Sequence, residues 1–345
     1  MNSKKNILVT GGAGYIGSHT IIEILETTDF NVISADNLSN ASGKTFERIE
    51  KITGKKVHNY EIDLCDKKAV EQLFEKEKNI AGIIHFAAFK AVNESVTNPH
   101  KYYSNNINSL LNILEACVNY NISNFIFSSS CSVYGNISEL PVKETTPFSK
   151  AESPYAYTKQ VGEEIVKDYA AAHPQLNTIA LRYFNPVGAH VSGLIGESPL
   201  NKPNNLVPII TNTAIGKIPQ MTVYGNDYPT RDGTCIRDYV HVSDIANAHV
   251  RALMFLLDKK NKSNFSIFNL GTGQGVSVLE AIHSFEKVSG QKLKYTIGPK
   301  RAGDIGAIYS DNSFSEKTLE WKPKYSLDQM METAWKWELE QKREG

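Results

Sequence analysis

The chain has 345 residues, of which 41% are hydrophobic, and its 37 Lys+Arg balance 37 Asp+Glu for a formal net charge of +0. That length exceeds a usual single domain and suits one large α/β unit carrying a smaller lobe. The even charge argues against nucleic acid or an anionic membrane as partner, since their readers carry a basic footprint.

Near the N-terminus the apolar run Ile7-Leu8-Val9 is too short for a signal peptide. Asn6–Val9 reads as a strand, followed by Thr10-Gly11-Gly12-Ala13-Gly14-Tyr15-Ile16-Gly17 and a helix over Tyr15–Glu26. Glycines at 11, 14 and 17 let a backbone turn sharply and approach a pyrophosphate, whose charge then sits at a helix N-terminus. The next strand, Asn31–Ala35, runs into Asp36-Asn37, placing an acid about 20 residues after the glycines, where it would accept ribose hydroxyls and repel a 2′-phosphate. NAD is therefore the expected cofactor, rather than NADP. A glycine-rich turn without a ligand would need neither the flanking strand and helix nor the acid.

Further strands are expected at Val57–Ile62, Gly82–Phe86 and Phe125–Ser128, and helices at Lys67–Lys78 and Tyr102–Tyr120. Strands alternating with helices imply βαβ crossovers, and nearly continuous apolar strands imply a parallel sheet covered on both faces. Asp63-Leu64, after the third strand, could meet an adenine or merely cap a turn. Phe86-Ala87-Ala88 could line a cofactor trough or only pack the core.

The Ser128-Ser129-Ser130 strand end leads, through an irregular stretch, into a helix over Tyr155–Ala172 that opens Tyr155-Ala156-Tyr157-Thr158-Lys159. Four residues is just over one helical turn, so the phenol and the ammonium share a face. A cation beside a phenol favours the phenolate and pulls its pKa below the usual 10 or so, which makes an acid/base. Tyr-x-x-x-Lys alone is common. Joined to the glycine loop and a serine able to bond a substrate oxygen, it points to Tyr155, Lys159 and Ser130 as the reactive set, with Ser132 as understudy. A strand is expected near Asn177–Leu181. From Tyr183 to Thr234 the chain turns rich in Asn, Pro and Gly, as a loop-dominated binding lobe would be. The expected division is a dinucleotide-binding domain over 1–182, completed by about 236–265, and a smaller mixed α/β lobe formed by 183–235 and 266–345.

Gly11–Gly17, Ser128–Gly135, Tyr155–Lys159, Arg182–Ala189, Pro203–Leu206, Tyr224–Thr230 and Arg237-Asp238-Tyr239 together resemble the extended short-chain dehydrogenases/reductases, and within them the nucleotide-sugar 4-epimerases. The resemblance runs nearly end to end. It implies a Rossmann-type sheet, bound NAD and a UDP-hexose substrate. The implied reaction interconverts UDP-glucose and UDP-galactose by reversible hydride abstraction at sugar carbon 4, through a 4-keto intermediate. It makes Tyr155 the acid/base, Lys159 its electrostatic partner and ribose ligand, and Ser130 a hydroxyl relay. Gly11, Gly14, Tyr15, Ile16, Gly17, Asp36, Asn37, Asp63, Leu64, Phe86, Ala87, Ala88, Lys90, Asn105 and Phe184 fall at cofactor positions. Asn185, Asn204, Asn205, Leu206, Tyr224, Arg237, Arg301, Asp304 and Ile308 fall in the nucleotide-sugar site. Two arginines suit a diphosphate bidentately.

At the position matching Ile308 a tyrosine restricts the sugar to glucose and galactose, and a small residue admits N-acetylated sugars; Ile308 is intermediate. Dehydratases of the family carry a carboxylic residue where this chain has Cys131 and Ser132, which disfavours elimination. Simple dehydrogenation is the enzymatic alternative, and a protein that merely binds NAD is the other. The resemblance also implies a homodimer built on the helices near 102–120 and 155–172, whose apolar faces could equally be core within the chain. No metal is expected, because no His or Cys spacing suits one. The cysteines at 65, 117, 131 and 235 read as reduced thiols of a cytoplasmic protein.

Overall fold

The computed structural model describes residues 4–198, 203–301 and 304–344. Its strands are β1 (Asn6–Thr10), β2 (Asn31–Ala35), β3 (His58–Tyr60), β4 (Ile80–His85), β5 (Asn124–Ser128), β6 (Asn177–Tyr183), β7 (Asn185–Val187), β8 (Met221–Tyr224), β9 (Ile236–His241), β10 (Phe265–Leu270), β11 (Gly275–Ser277), β12 (Tyr295–Gly298) and β13 (Ala307–Ile308). The helices are α1 (Tyr15–Thr27), α2 (Lys44–Thr53), α3 (Lys67–Lys76), α4 (Val92–Thr97), α5 (Pro99–Asn119), α6 (Pro154–Ala172), α7 (Leu206–Ala214), α8 (Val242–Leu257), α9 (Val278–Ser289), α10 (Ser313–Leu319) and α11 (Leu327–Glu344).

Seven parallel strands run in the order β10-β6-β5-β4-β1-β2-β3, a Rossmann-type doubly wound sheet. Strand alternation sends Ile7 and Val9 to one face and Leu8 to the other. The first face packs on α1, α2 and α8 through Ile21, Ile49, Ile245 and Leu253. The second packs on α3, α5 and α6 through Val70, Leu110, Ile113 and Val166. Both faces are dry, so the strands read as continuous apolar runs.

A second sheet has β9 beside β11 and β13, with β7 also paired to β9, and β8 pairs with β12 in a two-stranded ribbon. Val187, Val207, Ile210, Phe285, Met330 and Met331 pack α7, α9 and α11 against these strands.

Two boundaries differ from expectation. Phe265–Leu270, nearly all of it assigned to the smaller lobe, pairs with β6 and is the seventh strand of the main sheet. Ile236–His241, assigned to the main domain, pairs with β7, β11 and β13 instead. Only α8 of that stretch lies on the main sheet. A short apolar run carries no mark of the sheet it will join, since the choice is made by partners distant in sequence.

Candidate active site

The glycine loop leaves β1 with Gly11 at φ +69°, the left-handed region, and a Cβ there would meet the Ala87 backbone nitrogen at 2.8 Å. A Cβ on Gly17 would collide with the Gly11 carbonyl oxygen. Helix α1 starts at Tyr15 with Gly14 as N-cap, no side-chain cap and no acid in its first turn. Its first N–H groups are thus left for an anion, with no carboxylate to repel it. Asp36 follows β2; its Oδ2 accepts from Ala13 N (3.0 Å) and its Oδ1 from Leu38 N (2.9 Å). Burial raises its pKa and the two backbone donors pull it back. Each oxygen keeps a lone pair for a ribose hydroxyl. The cradle, the bare helix end and the acid fit NAD.

The other cofactor positions have partners within the chain. Ile16, Leu64 and Phe184 are buried. The Phe86 ring lies 4.6 Å from that of His249, and Ala87-Ala88 continue from β4 beside Gly11. Asn37 accepts from Ser39 N. Because β3 ends at Tyr60, Asp63 sits past the strand in a turn, exposed, accepting from Cys65 N at 2.9 Å. Tyr15 donates to Gly188 O (2.5 Å), and Lys90 pairs with Glu197 at 3.2 Å. Asn105 donates to Asn106, whose own amide braces Phe89 O and Thr158.

The reactive residues converge where β5 ends. Helix α6 is opened by Ser153, whose hydroxyl caps Ala156 N, and by Pro154 in the first turn. Tyr155 and Lys159 are both buried on its inner face. Lys159 Nζ donates to Ser128 O (2.7 Å) and stands 5.0 Å from the centre of the Phe127 ring. Ser130 Oγ accepts from Ser132 N at 3.2 Å, capping the 3-10 turn that follows β5, and Ser130 acts on the Tyr155 phenol in the direction that favours its ionised form.

The expected lowering of the Tyr155 pKa by Lys159 is corrected here. Burial pushes the phenol well above 10, Tyr183 raises it further, and Ser130 only partly offsets them. Burial also lowers Lys159, to about 8, while Glu163 raises it. A spacing of four puts two groups on one face but does not say how dry that face is. Cys131, beside Ser130, is pushed by burial up to about 12, with Arg237 pulling it back.

Arg237 lies on β9, with Nη1 donating to Ile236 O (2.9 Å) and Ile305 O (2.7 Å) and Nη2 3.7 Å from Asp304. Asp304 N donates to Arg301 O, and the Arg301 guanidinium stacks 3.8 Å over the Tyr224 ring. Ile308 is buried on β13, in register with Arg237. Asn185 donates to Asp238 O, Asn205 to Glu197, and Asn204 is exposed just before α7, which Leu206 begins.

Four residues without a role in the sequence reading hold this arrangement. Asp238 is fully buried, and its carboxylate accepts from Thr272 N and Oγ1, Gly273 N, and Ser310 N and Oγ. It thereby ties β9 to the segments on either side of the second sheet. Tyr183 shares a 2.7 Å hydrogen bond with Ser128 Oγ. Glu163 forms a buried ion pair with Arg182, Oε2 to Nη2 2.6 Å. Asp238 stood inside the motif Arg237-Asp238-Tyr239 and Arg182 opened another, and those memberships were the only signals.

Fold and site define a dinucleotide-dependent α/β enzyme of the Tyr-x-x-x-Lys type. The sequence pattern of the GDP-mannose 4,6-dehydratase family matches residues 8–334. The UDP-glucose 4-epimerase of Erwinia amylovora is 46% identical over 333 residues, 96% of this chain and 97% of that protein. The crystal structure of UDP-glucose 4-epimerase from Bifidobacterium longum in complex with NAD+ and UDP superposes with a TM-score of 0.92 at 45% identity, covering 97% of this chain and 98% of that one. That of the UDP-Glc/GlcNAc 4-epimerase from Campylobacter jejuni has a TM-score of 0.84 at 39% identity, covering 97% and 99%. The chain belongs to the UDP-glucose 4-epimerase family, within the broader grouping named for GDP-mannose 4,6-dehydratase.

Proposed function

We propose that the protein interconverts UDP-glucose and UDP-galactose through a 4-keto sugar, and that Tyr155, Lys159 and Ser130 carry the proton chemistry. The observation that carries this reading is the convergence of all three on the end of β5. Tyr155 Oη takes the proton of the sugar 4-hydroxyl and later returns it, with Ser130 bonding the same oxygen. The glycine loop, the start of α1 and Asp36 would hold NAD, which would supply a hydride acceptor and donor for carbon 4 and a positive ring charge favouring the phenolate. Lys159, fixed on Ser128 O, keeps a cation at the base of the site. Arg237 and Arg301 suit the diphosphate and Tyr224 the remaining nucleotide surface, so the UDP end supplies affinity while the sugar turns. Elimination of water is disfavoured, because Cys131 keeps its proton and Ser132 is no carboxylic acid. The test is a proton NMR time course with UDP-galactose and no added NAD. UDP-glucose should accumulate from resident cofactor. Silence even with NAD supplied refutes the reading.

Sugar scope extends to the N-acetylated pair, because Ile308 is smaller than tyrosine. The name of the Campylobacter jejuni relative includes GlcNAc, which supports this. Ile308→Tyr should suppress turnover of UDP-N-acetylglucosamine by tenfold or more, a steric exclusion of about 1.4 kcal/mol, and spare UDP-glucose. Equal effects on both sugars refute it.

The protein is a cytoplasmic homodimer in this reading. Its four free cysteines suit a reducing compartment. Val92, Val96, Tyr103 and Tyr157 leave large apolar surface exposed on α4, α5 and α6, with the Tyr103 and Tyr157 rings edge to face at 6.2 Å. A patch of this kind is what a self-complementary interface covers. Tyr157→Glu should shift the sedimentation coefficient to that of a monomer.

A further inference from the structure

We propose that Glu163 is a positioning residue of this site, holding the Lys159 ammonium and the serine turn in place from behind, an inference that rests on Tyr155 and Lys159 being the reactive pair. Tyr155, Lys159 and Glu163 recur every four residues along α6 and share its inner face. Three consecutive serines meet them. Ser128 O accepts from Lys159, the Ser129 hydroxyl donates to Glu163 Oε1, and Ser130 Oγ accepts from Ser132 N and so caps the turn that follows. One strand end is thus bonded to two successive turns of one helix, at Lys159 and at Glu163.

Glu163 is 1% exposed and Arg182 2%, and Arg182 grips both carboxylate oxygens, Nε to Oε1 at 2.9 Å and Nη2 to Oε2 at 2.6 Å. Arg182 also donates to Tyr134 OH (3.0 Å) and Glu144 O (3.2 Å), which anchors the 3-10 turn after Ser130. The groups around Lys159 are Glu163 on α6 with the Arg182 guanidinium of β6 paired to it, His85 on β4, and Tyr183 bonded at Ser128, with Tyr155 and Cys131 buried on the same side of the site. Burial holds the two phenols, the thiol and the imidazole neutral. Glu163 is thus the anion that favours the charged lysine against the dryness around it.

Glu163→Gln keeps the shape and removes the charge. The alkaline limb of kcat, set by Lys159 losing its proton, should move about one pH unit toward neutrality, with KM for UDP-galactose unchanged. Glu163→Asp should bring the limb back. Because the glutamine leaves a buried guanidinium without its counter-ion, the single variant can fail to fold, and Glu163→Gln/Arg182→Met removes both charges. In the double variant the thermal midpoint should recover toward wild type while the limb stays displaced. A limb that stays at its wild-type pH in a folded variant, whatever the midpoint does, overturns the proposal. Tyr155→Phe is the control for the reading beneath it. Wild-type kcat in that variant overturns the reactive pair itself, whereas a dead Tyr155→Phe with an unmoved Glu163→Gln limb overturns only the role of Glu163.

Discussion

A phenol as deeply buried as Tyr155 keeps its proton unless the site makes the anion worthwhile. Within the chain Ser130 favours the phenolate and Glu163 favours a charged Lys159. Tyr155→Phe removes the hydroxyl and leaves the ring that packs in its place. It should lower kcat by about 10²–10⁴-fold, the usual worth of a positioned acid/base, and leave the affinity for UDP nearly unchanged. Calorimetric titration with UDP beside a turnover assay separates the two. An equal loss in both would mean that Tyr155 serves binding rather than chemistry. Tyr155, Lys159 and Ser130 were legible because a spacing of four fixes a shared face. The phenol's raised pKa was not, since dryness is supplied by strands far along the chain. Nor were Glu163 and Asp238, because a buried carboxylate is known by its partners. Those partners stand 19 and 34 residues away for Glu163 and up to 72 for Asp238.

At the scale of elements, the distance between α6 and β5 decides whether the serines and the helix meet. Gly162 sets it. A Cβ there would come within 2.7 Å of the Phe127 ring, and that ring also lies under Lys159. Glycine inside a helix costs about 1 kcal/mol relative to alanine, so the position gives up helical propensity for close approach. Gly162→Ala should raise the propensity of α6 yet push it off the sheet, at an overpacking cost of about 1–3 kcal/mol. The expected result is a lower thermal midpoint and a kcat loss exceeding any change in KM. A variant more stable and equally active would show that the sheet yields freely. The strands and helices of the main sheet were legible over most of their length because apolar runs and helical periodicity are strong there. Helix α2 was not, since among its side chains Thr45 and Ile49 are the buried ones and charges dominate the rest. The second sheet was not legible either. Strands of two or three residues around β9 are too short to show a period, and their pairings reach across the chain.

On the scale of the whole molecule, four histidines are buried and uncharged: His19, His85, His241 and His249. Burial lowers the first three to about 3 and His249 to about 4. His19 and His249 each keep a ring nitrogen buried without a partner, so neither is prepared to hold a second proton. His19 lies on the glycine-loop helix with its ring 6.4 Å from that of His190. His241 bonds Thr333 at 3.0 Å and stacks on Tyr325 at 3.8 Å. The first of these contacts joins the main sheet's first helix to the second lobe, and those of His241 lie within that lobe. The unfolded chain protonates all four near pH 6.5, whereas the fold does not until far lower. Their contribution is therefore whole above about pH 6.5 and is lost as pH falls from there toward 3 or 4, at about 1.4 kcal/mol per pH unit for each histidine. Asp36, Asp244 and Glu144 are raised by burial and act in the opposite sense, but only as pH approaches their own lower range. A total stability of about 5–15 kcal/mol cannot absorb four such terms for long. Urea midpoints should fall steeply between pH 6.5 and 5, and His85→Gln should flatten that slope by about a quarter, one histidine in four. Equal midpoints at pH 7 and 5 would mean that the buried rings take up protons in place, and the contact between the glycine-loop helix and the second lobe would then have to be looser than its packing implies.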